Sequence, residues 1–268
     1  MIKISPKKSL GQHFLTDKNI SQKIIVDFDP KPNEYVIEIG PGEGSLTGLL
    51  IDSGCKLTAI EIDNRAAELI RKLYDEKVTV LEQDILKTDF IMLTKHLNCE
   101  KVRVIGNIPY YITSGIIFHI IEYRQFITDA MLMMQKEVAK RLIAKPRTKE
   151  YGSMSIAVQT YFNVKILFHV GPNSFFPAPK VTSSIVKFTV KKETGIEGLE
   201  SLYEKIVQSG FNQRRKTLRN SLNGAIPDLK VRLKALDMAC IKENQRAEEL
   251  SVVDFIRLTK IVNELIGK

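Results

Sequence analysis

Short apolar runs alternate with amphipathic segments along the first half of the chain. In these segments apolar residues recur at the spacing of a helix, as Ile20, Ile24 and Phe28 do. The predicted strands are 34–40, 56–63, 78–84, 102–107 and 129–135, and the predicted helices are 18–28, 44–54, 64–74, 114–123 and 136–145. This alternation predicts βαβ units and a mostly parallel sheet.

The pattern changes after Gly152. Residues 153–170 and 183–190 are rich in β-branched and aromatic residues, and we expect antiparallel strands with no helix between them. Helical spacing returns beyond residue 190, in 199–211, 214–222, 230–236 and 251–266. We therefore predict an α/β domain with a basic N-terminal segment over residues 1–190, and an all-α domain over residues 191–268.

Composition and charge narrow the classes of partner. The 268-residue chain is 44% hydrophobic, enough for a sizeable core, and has a formal net charge of +9. Such an excess favours a polyanionic partner, nucleic acid ahead of an anionic membrane surface. The three cysteines contain no Cys-x-x-Cys pair, so neither a disulfide framework nor a zinc site is expected. Because no apolar signal core or transmembrane run is visible, we expect a cytoplasmic protein.

A glycine-rich turn follows the first strand of the predicted sheet. Gly40, Gly42 and Gly44 allow a sharp turn and a close approach of the backbone to a ligand. Their G-x-G-x-G spacing differs from the G-x-G-x-x-G of dinucleotide-binding folds. The turn alone is equally compatible with a purely structural role.

Two acidic residues end the next two predicted strands. Glu61 lies 21 positions after Gly40, where an acid can accept hydrogen bonds from two ribose hydroxyls. Asp84 ends the third strand, where a carboxylate can accept from an adenine amino group. Because parallel strands end at the same edge of a sheet, these groups together predict a nucleoside-sized crevice.

The absence of a phosphate-binding motif narrows the range of possible ligands. The chain has no G-x-x-x-x-G-K-[ST] sequence, and Glu43 stands inside the glycine turn. A carboxylate there would repel a pyrophosphate but can lie near a cationic ligand. S-adenosylmethionine carries a ribose, an adenine and a sulfonium, and therefore fits this pattern better than NAD.

The sequence Asn-Ile-Pro-Tyr, residues 107–110, ends the fourth predicted strand beside this crevice. Pro109 holds Ile108 extended and donates no hydrogen bond itself. The side-chain oxygen of Asn107 and the carbonyl of Ile108 can then accept the two N–H groups of a planar amino group. Tyr110 offers a ring on which a purine can stack. The structural alternative is a strand exit with a proline turn.

Several longer motifs resemble one enzyme family. "SLGQHFL", "EIGPGEGSLT", "EID", "QDIL" and "GNIPYYITS" are similar to motifs of the adenine-specific methyltransferases of ribosomal RNA, and "LMMQKEVAKRL", "YGSMS", "FFPAPKVTSSIV" and "FNQRRKTLRNSL" to those of the small-subunit dimethyladenosine transferases. The resemblance spans essentially the whole chain. It implies a Rossmann-like class I methyltransferase with a seven-stranded sheet and a small helical domain. It also implies that two adjacent adenines near the 3′ end of small-subunit RNA become 6,6-dimethyladenines.

The resemblance also implies roles for individual residues. The S-adenosylmethionine contacts carried over are His13, Leu15, Gly40, Gly42, Glu61, Ile62, Asp84, Ile85 and Asn107. The catalytic set carried over is Asn107, Ile108, Pro109, Tyr110 and Phe175. In that set Phe175, not the adjacent Phe176, matches the ring that covers the second face of the target base; the structural alternative for this pair is an ordinary core position. One departure is Tyr111, where bacterial members often have Asn; it concerns the packing beneath the target base.

Basic residues cluster outside this crevice. Those interpreted as contacts to RNA phosphates are Lys7, Lys8, Lys136, Lys140, Arg141, Arg147, Arg214, Arg215, Lys216 and Arg219. Such runs are commonly solvated faces, but together with a 6-aminopurine pocket they favour phosphate binding. The expected partners are small-subunit ribosomal RNA and a pre-30S-type particle. We expect no metal, no membrane and a monomeric enzyme.

Three other functions fit part of the pattern. A large-subunit RNA methylase of the macrolide-resistance type shares "NIPY", but "FNQRRKTLRNSL" and "YGSMS" argue against it. A non-catalytic assembly or transcription factor on the same fold is disfavoured because Glu61, Asp84 and Asn107 are all present. A dinucleotide-dependent dehydrogenase is disfavoured by the glycine spacing.

Overall fold

The computed structural model of the chain describes residues 4–213 and 215–267, without the side chain of Lys8. The chain folds into two compact units. The sheet unit comprises Met1–Ala139 and Val164–Val190, and the helical unit comprises Lys140–Asn163 and Lys191–Lys268.

The sheet unit is built on a seven-stranded sheet. The strands of the chain are β1 (Phe14–Leu15), β2 (Tyr35–Ile39), β3 (Lys56–Glu61), β4 (Val78–Glu82), β5 (Val102–Asn107), β6 (Ile127–Gln135), β7 (Phe162–Val170), β8 (Phe175–Phe176) and β9 (Ser183–Val190). Their order in the large sheet is β4-β3-β2-β5-β6-β9-β7. Strands β2 to β6 pair in parallel and β9 runs antiparallel to β6, while β1 and β8 form a separate antiparallel pair. The predicted mostly parallel α/β sheet is confirmed.

Helices follow the strands of the sheet unit. These are α1 (Lys18–Phe28), α2 (Thr47–Asp52), α3 (Asn64–Tyr74), α4 (Phe90–Leu97) and α5 (Thr113–Glu122), and α6 (Lys136–Leu142) follows β6. The apolar periodicity predicts each of these helices except α4. The side chains of Asp17, Asp63 and Asp89 accept backbone N–H groups at the starts of α1, α3 and α4. These N-caps fix the points at which the chain leaves each loop and becomes helical.

The central strands are buried on both faces. Val36 and Ile37 are consecutive in β2, and Val104 and Ile105 are consecutive in β5, yet all four side chains are buried. Because neighbouring residues of a strand point to opposite faces, both faces of the sheet must be covered. The carboxyl ends of these strands are consequently the places where polar groups can meet a ligand.

The helical unit contains one helix that the sequence did not predict. Its helices are α7 (Ser153–Tyr161), α8 (Glu200–Asn212), α9 (Leu218–Ser221), α10 (Leu229–Met238) and α11 (Val252–Ile266). The expectation of strands throughout 153–170 is therefore wrong for α7. Its β-branched and aromatic residues are buried by packing against α8 and α11, which overrides their preference for strands.

The domain division also differs from the expected one. The predicted boundary at residue 190 coincides with the last passage of the chain between the two units. Lys140–Asn163, expected in the first domain, lies in the helical unit. Within that unit the Ser155 hydroxyl accepts the Gly152 N–H at 3.1 Å and donates to the Arg141 carbonyl at 2.6 Å, which ties α7 to the end of α6.

Candidate functional site

A pocket lies at the carboxyl ends of β2, β3 and β5. Five segments line it: 10–15, 38–46 without Gly44, 60–62, 83–85 and 107–112. All nine residues predicted to contact the cofactor are among its lining residues, as are Ile108, Pro109 and Tyr110. The parallel topology thus brings together side chains from positions almost a hundred residues apart in sequence.

The glycine turn lies at this pocket, and two of its glycines adopt a backbone conformation that residues with a side chain rarely take. Gly40 and Gly42 have φ of +64° and +55°, in the left-handed region. A Cβ atom on Gly42 would lie 2.9 Å from Cδ1 of Phe14. Gly42 is therefore needed both for the turn and for the close packing of the N-terminal segment against it.

Glu61 presents a carboxylate at the end of β3. Its Oε1 accepts the Asp63 N–H at 2.9 Å and its Oε2 accepts the Gly42 N–H at 3.3 Å, so its position is fixed from two sides. The side chain is only 6% exposed, and burial raises the pKa of its carboxyl group. Each oxygen retains acceptor capacity, so the pair can receive two neighbouring hydroxyl groups.

Asp84 and two isoleucines form the next part of the wall. The Asp84 Oδ1 accepts the Leu86 N–H at 2.9 Å, which orients its carboxylate. Both Ile85 and Ile62 line the pocket; Ile85 is buried, and Ile62 is 53% exposed. Apolar surface beside two carboxylates suits a ligand with a flat ring, hydroxyl groups and an amino group.

Glu38 lines the same pocket and was not predicted. Its carboxylate is buried in β2, where Thr47 Oγ1 donates to Oε2 at 2.8 Å. Burial, and to a smaller extent the charge of Glu61, raises the pKa of Glu38 to about 8. The signal in the sequence was a lone acid within the apolar run "VIEI".

The raised pKa of Glu38 predicts a pH-dependent stability. In the folded chain this carboxyl keeps its proton up to about pH 8, whereas the unfolded chain releases it near 4.5. Raising the pH therefore favours unfolding across that window, by on the order of 5 kcal/mol in total. Urea unfolding of the free protein at pH 5.5 and 8.5 should show most of this loss, and Glu38→Gln should remove it. The exposed Glu68→Gln is the control, and parallel profiles for wild type and Glu38→Gln would contradict the assignment.

Asn107 is oriented by the backbone of the N-terminal segment. Its Nδ2 donates to the His13 carbonyl at 2.9 Å. A carbonyl only accepts, so it fixes the nitrogen of the amide on that side and leaves the side-chain oxygen on the other. Ile108 is buried with its N–H directed to the Met133 carbonyl at 3.3 Å, and Pro109 is extended with ψ of 136°. These contacts are consistent with two fixed acceptors at residues 107 and 108.

Tyr110 begins a single turn of 3-10 helix, Tyr110–Ile112, at the pocket. Its ring stacks on His13 with centroids 5.6 Å apart and an interplanar angle of 27°, and its hydroxyl lies 2.7 Å from Ser183 Oγ. Tyr111 is exposed, and its ring packs beside Gly11, where an added Cβ would come within 3.2 Å of it. Both rings thus contact the N-terminal segment, and Tyr110 is held in addition by the buried Ser183 of β9.

Phe175, which the resemblance assigns to the second face of the target base, is a buried residue of the structure. Its side chain is 4% exposed and belongs to the hydrophobic core with Leu15, Met133 and Val170. It is not among the residues that line the pocket. Neighbouring residues of a strand face opposite sides, so Phe176, which is 60% exposed, faces outward instead. The role carried over for Phe175, covering the second face of the target base, stays a prediction.

The basic candidates divide by their contacts. Lys7 Nζ lies 3.1 Å from the buried Asp63, so it is held at the sheet unit. Arg147 pairs with Glu249 at 3.5 Å and Arg219 with Glu243 at 2.7 Å. Lys136 is partly buried, while the exposed candidates are Lys140, Arg141, Arg147, Arg215, Lys216 and Arg219. Arg214 and the side chain of Lys8 lie outside the described residues.

Residues 4–213 and 215–267 contain neither a candidate metal site nor a candidate membrane-spanning helix. No group of three or more His, Cys, Asp or Glu side chains is arranged there to hold a metal ion. None of the helices in these ranges has the length and apolar character needed to cross a bilayer.

Sequence comparisons identify close relatives over nearly the full chain. A family model described as ribosomal RNA adenine dimethylase matches residues 4–264. The chain is 40% identical to ribosomal RNA small subunit methyltransferase A of Lactobacillus delbrueckii subsp. bulgaricus, with 98% of this chain and 92% of that protein covered. It is 42% identical to the protein of the same name from Streptococcus thermophilus, with 96% and 92% covered.

Solved structures show the same similarity in three dimensions. A dimethyladenosine transferase from Plasmodium falciparum superposes with a TM-score of 0.83 and 29% identity, covering 94% of this chain and 98% of that one. The 23S rRNA methyltransferase ErmE superposes with a TM-score of 0.71 and 27% identity, covering 93% and 99%.

Proposed function

Because the chain belongs to the ribosomal RNA adenine dimethylase family, we propose that it methylates the 6-amino groups of two adjacent adenines near the 3′ end of small-subunit ribosomal RNA. The products are 6,6-dimethyladenosines, and S-adenosylmethionine is the methyl donor. The observation that carries this proposal is one pocket that contains Glu61, Asp84 and the Asn107–Tyr110 turn together. The two carboxylates proposed to bind a nucleoside and the two acceptors proposed for an amino group therefore belong to the same pocket.

Primer extension tests this proposal directly. Small-subunit particles that lack the modification are incubated with the protein and the methyl donor, and reverse transcription should then stop at two adjacent adenines. Naked large-subunit RNA serves as the control, since a stop there would favour the large-subunit methylase function. The 40–42% identity to small-subunit enzymes, against 27% to ErmE, supports the small-subunit substrate.

The residues of the pocket fit the proposed cofactor. Glu61 is a buried acceptor pair for ribose hydroxyls, Asp84 an acceptor for the adenine amino group, and Ile62 an apolar surface for the ring. The glycine turn lets the backbone approach without Cβ atoms. When bound, S-adenosylmethionine supplies an electrophilic methyl group, and the protein supplies binding and orientation.

Asn107 and Ile108 are proposed to act on the target nitrogen. The lone pair of an adenine amino group is delocalised into the ring, which makes the nitrogen a poor nucleophile. Accepting both N–H groups, at Asn107 Oδ1 and the Ile108 carbonyl, favours a pyramidal nitrogen with an exposed lone pair. We assign no general base, because the nitrogen becomes acidic once it has been methylated. Positioning of the reacting atoms is then the larger part of catalysis.

Mutation can distinguish the roles of Phe175 and Phe176. Phe175→Ala should cost about 3–5 kcal/mol of unfolding free energy because it empties a core position, whereas Phe176→Ala should cost little. Urea unfolding measures both. Phe175→Leu keeps most of the core volume without a ring, and therefore tests base stacking separately. A slower single-turnover rate at near-normal stability would support a stacking role, and a wild-type rate would restrict Phe175 to the core.

The exposed basic residues of the helical unit are proposed to contact RNA phosphates. Arg215 and Lys216 are exposed and lie between α8 and α9. Reversing both charges should weaken particle binding and flatten the slope of log affinity against log salt by about 1–2 units. Filter binding at several salt concentrations measures this, and cofactor affinity should not change. Lys230→Glu, outside the predicted contact set, is the control. An unchanged slope would show that these residues form only a solvated face.

We propose that the natural substrate is an assembling small-subunit particle of the pre-30S type, bound by a monomer of this enzyme. The net charge of +9 supports a polyanionic partner. A target adenine must leave its stack or come from a loop before it can enter the pocket.

A further inference from the structure

The N-terminal segment, residues 4–15, forms one whole wall of the pocket. Its residues 10–15 line the cavity, and its β1 strand pairs with β8. Ile4 and Phe14 pack against Ala66 and Leu69 of α3. The segment contributes only two residues to regular strand pairing, so its position depends on side-chain contacts.

Asp63 is the centre of these contacts. Its carboxylate is buried and receives Lys7 Nζ at 3.1 Å and Gln12 Nε2 at 2.9 Å, both from the N-terminal segment. Arg65 donates to the same carboxylate from Nε at 3.0 Å and from Nη2 at 2.6 Å. Oppositely charged partners hold the pKa of Asp63 far below its usual range. A buried carboxylate is stable only while such donors surround it, so the segment and Asp63 require each other.

Further hydrogen bonds hold the N-terminal segment around Asp63. Arg65 Nη1 also donates to the Ser5 carbonyl at 3.1 Å, and the Gln12 Oε1 accepts the Lys7 N–H at 2.8 Å. Both ends of the Gln12 amide are therefore used, one within the segment and one on Asp63. At the far end, the Ile4 N–H donates to Glu43 Oε1 at 2.9 Å, which fastens the segment to the glycine turn.

Asp63 is connected in this way to both halves of the site. Its N–H donates to Glu61 Oε1, which orients the proposed ribose acceptor. Through Gln12 its carboxylate holds the residue next to His13, whose carbonyl fixes the Asn107 amide. Asp63 is not among the residues that line the pocket, and it acts on the site through Glu61 on one side and through Gln12, His13 and Asn107 on the other.

We propose that Asp63 is a positioning residue, which docks the N-terminal segment and thereby completes the cofactor pocket and orients Asn107. This inference rests on the proposed function. The charge of the Asp63 carboxylate matters more than its shape, because Lys7 and Arg65 need an anion and Gln12 needs an acceptor on the second oxygen. Asp63→Asn keeps the N-cap acceptor of α3 but turns one oxygen into a donor facing Gln12.

Hydrogen exchange and calorimetry on the full-length protein test the proposal. In the free Asp63→Asn variant, amides of residues 4–15 should exchange at least about tenfold faster than in wild type, and the Kd for S-adenosylmethionine should rise by at least about tenfold. The single-turnover methylation rate should fall as well, while particle affinity stays the same. Lys7→Met should give a weaker form of both effects and add little to Asp63→Asn, because the two side chains form one contact.

Asp89→Asn is the matched control, because Asp89 caps α4 in the same way but contacts no part of the N-terminal segment. Normal exchange of residues 4–15 in Asp63→Asn, or fast exchange with unchanged cofactor affinity, would overturn the proposal. If Asp63→Asn does not fold, Gln12→Ala and Lys7→Met are measured by the same criteria. Failure of the wild-type protein to bind the cofactor would instead count against the proposed function, while the exchange measurement would still report on docking of the segment.

Discussion

Methyl transfer by an Asn107→Ala variant should be at least about a hundredfold slower than by wild type, with RNA affinity nearly unchanged. The side-chain oxygen of Asn107 is directed away from the His13 carbonyl, and it would accept one N–H of the target amino group. Most RNA affinity should come from phosphates remote from the pocket, so the loss should appear in rate and not in binding. Single-turnover methylation with saturating particles and cofactor measures it.

Two companion variants sharpen this result. Asn107→Asp keeps the size of the side chain and an acceptor oxygen, but it places an oxygen against the His13 carbonyl, so it should also be slow. Tyr110→Phe keeps the ring and loses only the hydroxyl contact with Ser183, so it should remain within a few-fold of wild type. Near wild-type turnover in Asn107→Ala would show that residues 107–110 are only a strand exit.

The sheet and its ligand-binding edge were predictable because their signals are local. β5 (Val102–Asn107) and α3 (Asn64–Tyr74) have the predicted bounds, since each is a run of one periodicity that ends at a polar or capping residue. Once the strands are parallel, the positions of Glu61, Asp84 and Asn107 at one edge follow from topology. No knowledge of side-chain packing is needed for that step.

Features that depend on tertiary contacts were not predictable in this way. Helix α7 is made of strand-forming residues and is helical because α8 and α11 bury it. In the sequence nothing distinguishes Lys7 from the other basic residues, and only the fold brings it to Asp63. Phe175 and Phe176 are chemically identical neighbours, and the pairing of β8 with β1 decides which of them enters the core. In each case the deciding partner is distant in sequence.

Replacing Glu61 with alanine should weaken S-adenosylmethionine binding by roughly 1.5–3 kcal/mol, which corresponds to about 10- to 150-fold in Kd. The variant removes a buried acceptor pair that the Gly42 and Asp63 N–H groups hold at the end of β3. Ribose hydroxyls of the bound cofactor would then have no anionic acceptor, and the two N–H groups would lose theirs. Isothermal titration calorimetry measures the affinity, and particle binding should stay as in wild type.

The best control for this prediction is Glu82→Ala. Glu82 is paired in register with Glu61 on the neighbouring strand, but it is exposed and contacts Arg71 at 3.4 Å instead of the pocket. Its loss should leave cofactor affinity unchanged, so a strand-end carboxylate as such is not what matters. Glu61→Gln should bind S-adenosylmethionine nearly as weakly as Glu61→Ala does, because its amide would place a donor opposite one of the two backbone N–H groups. Wild-type affinity in both Glu61 variants would remove Glu61 from the cofactor site, and with it the strongest support for a ribose at this edge of the sheet.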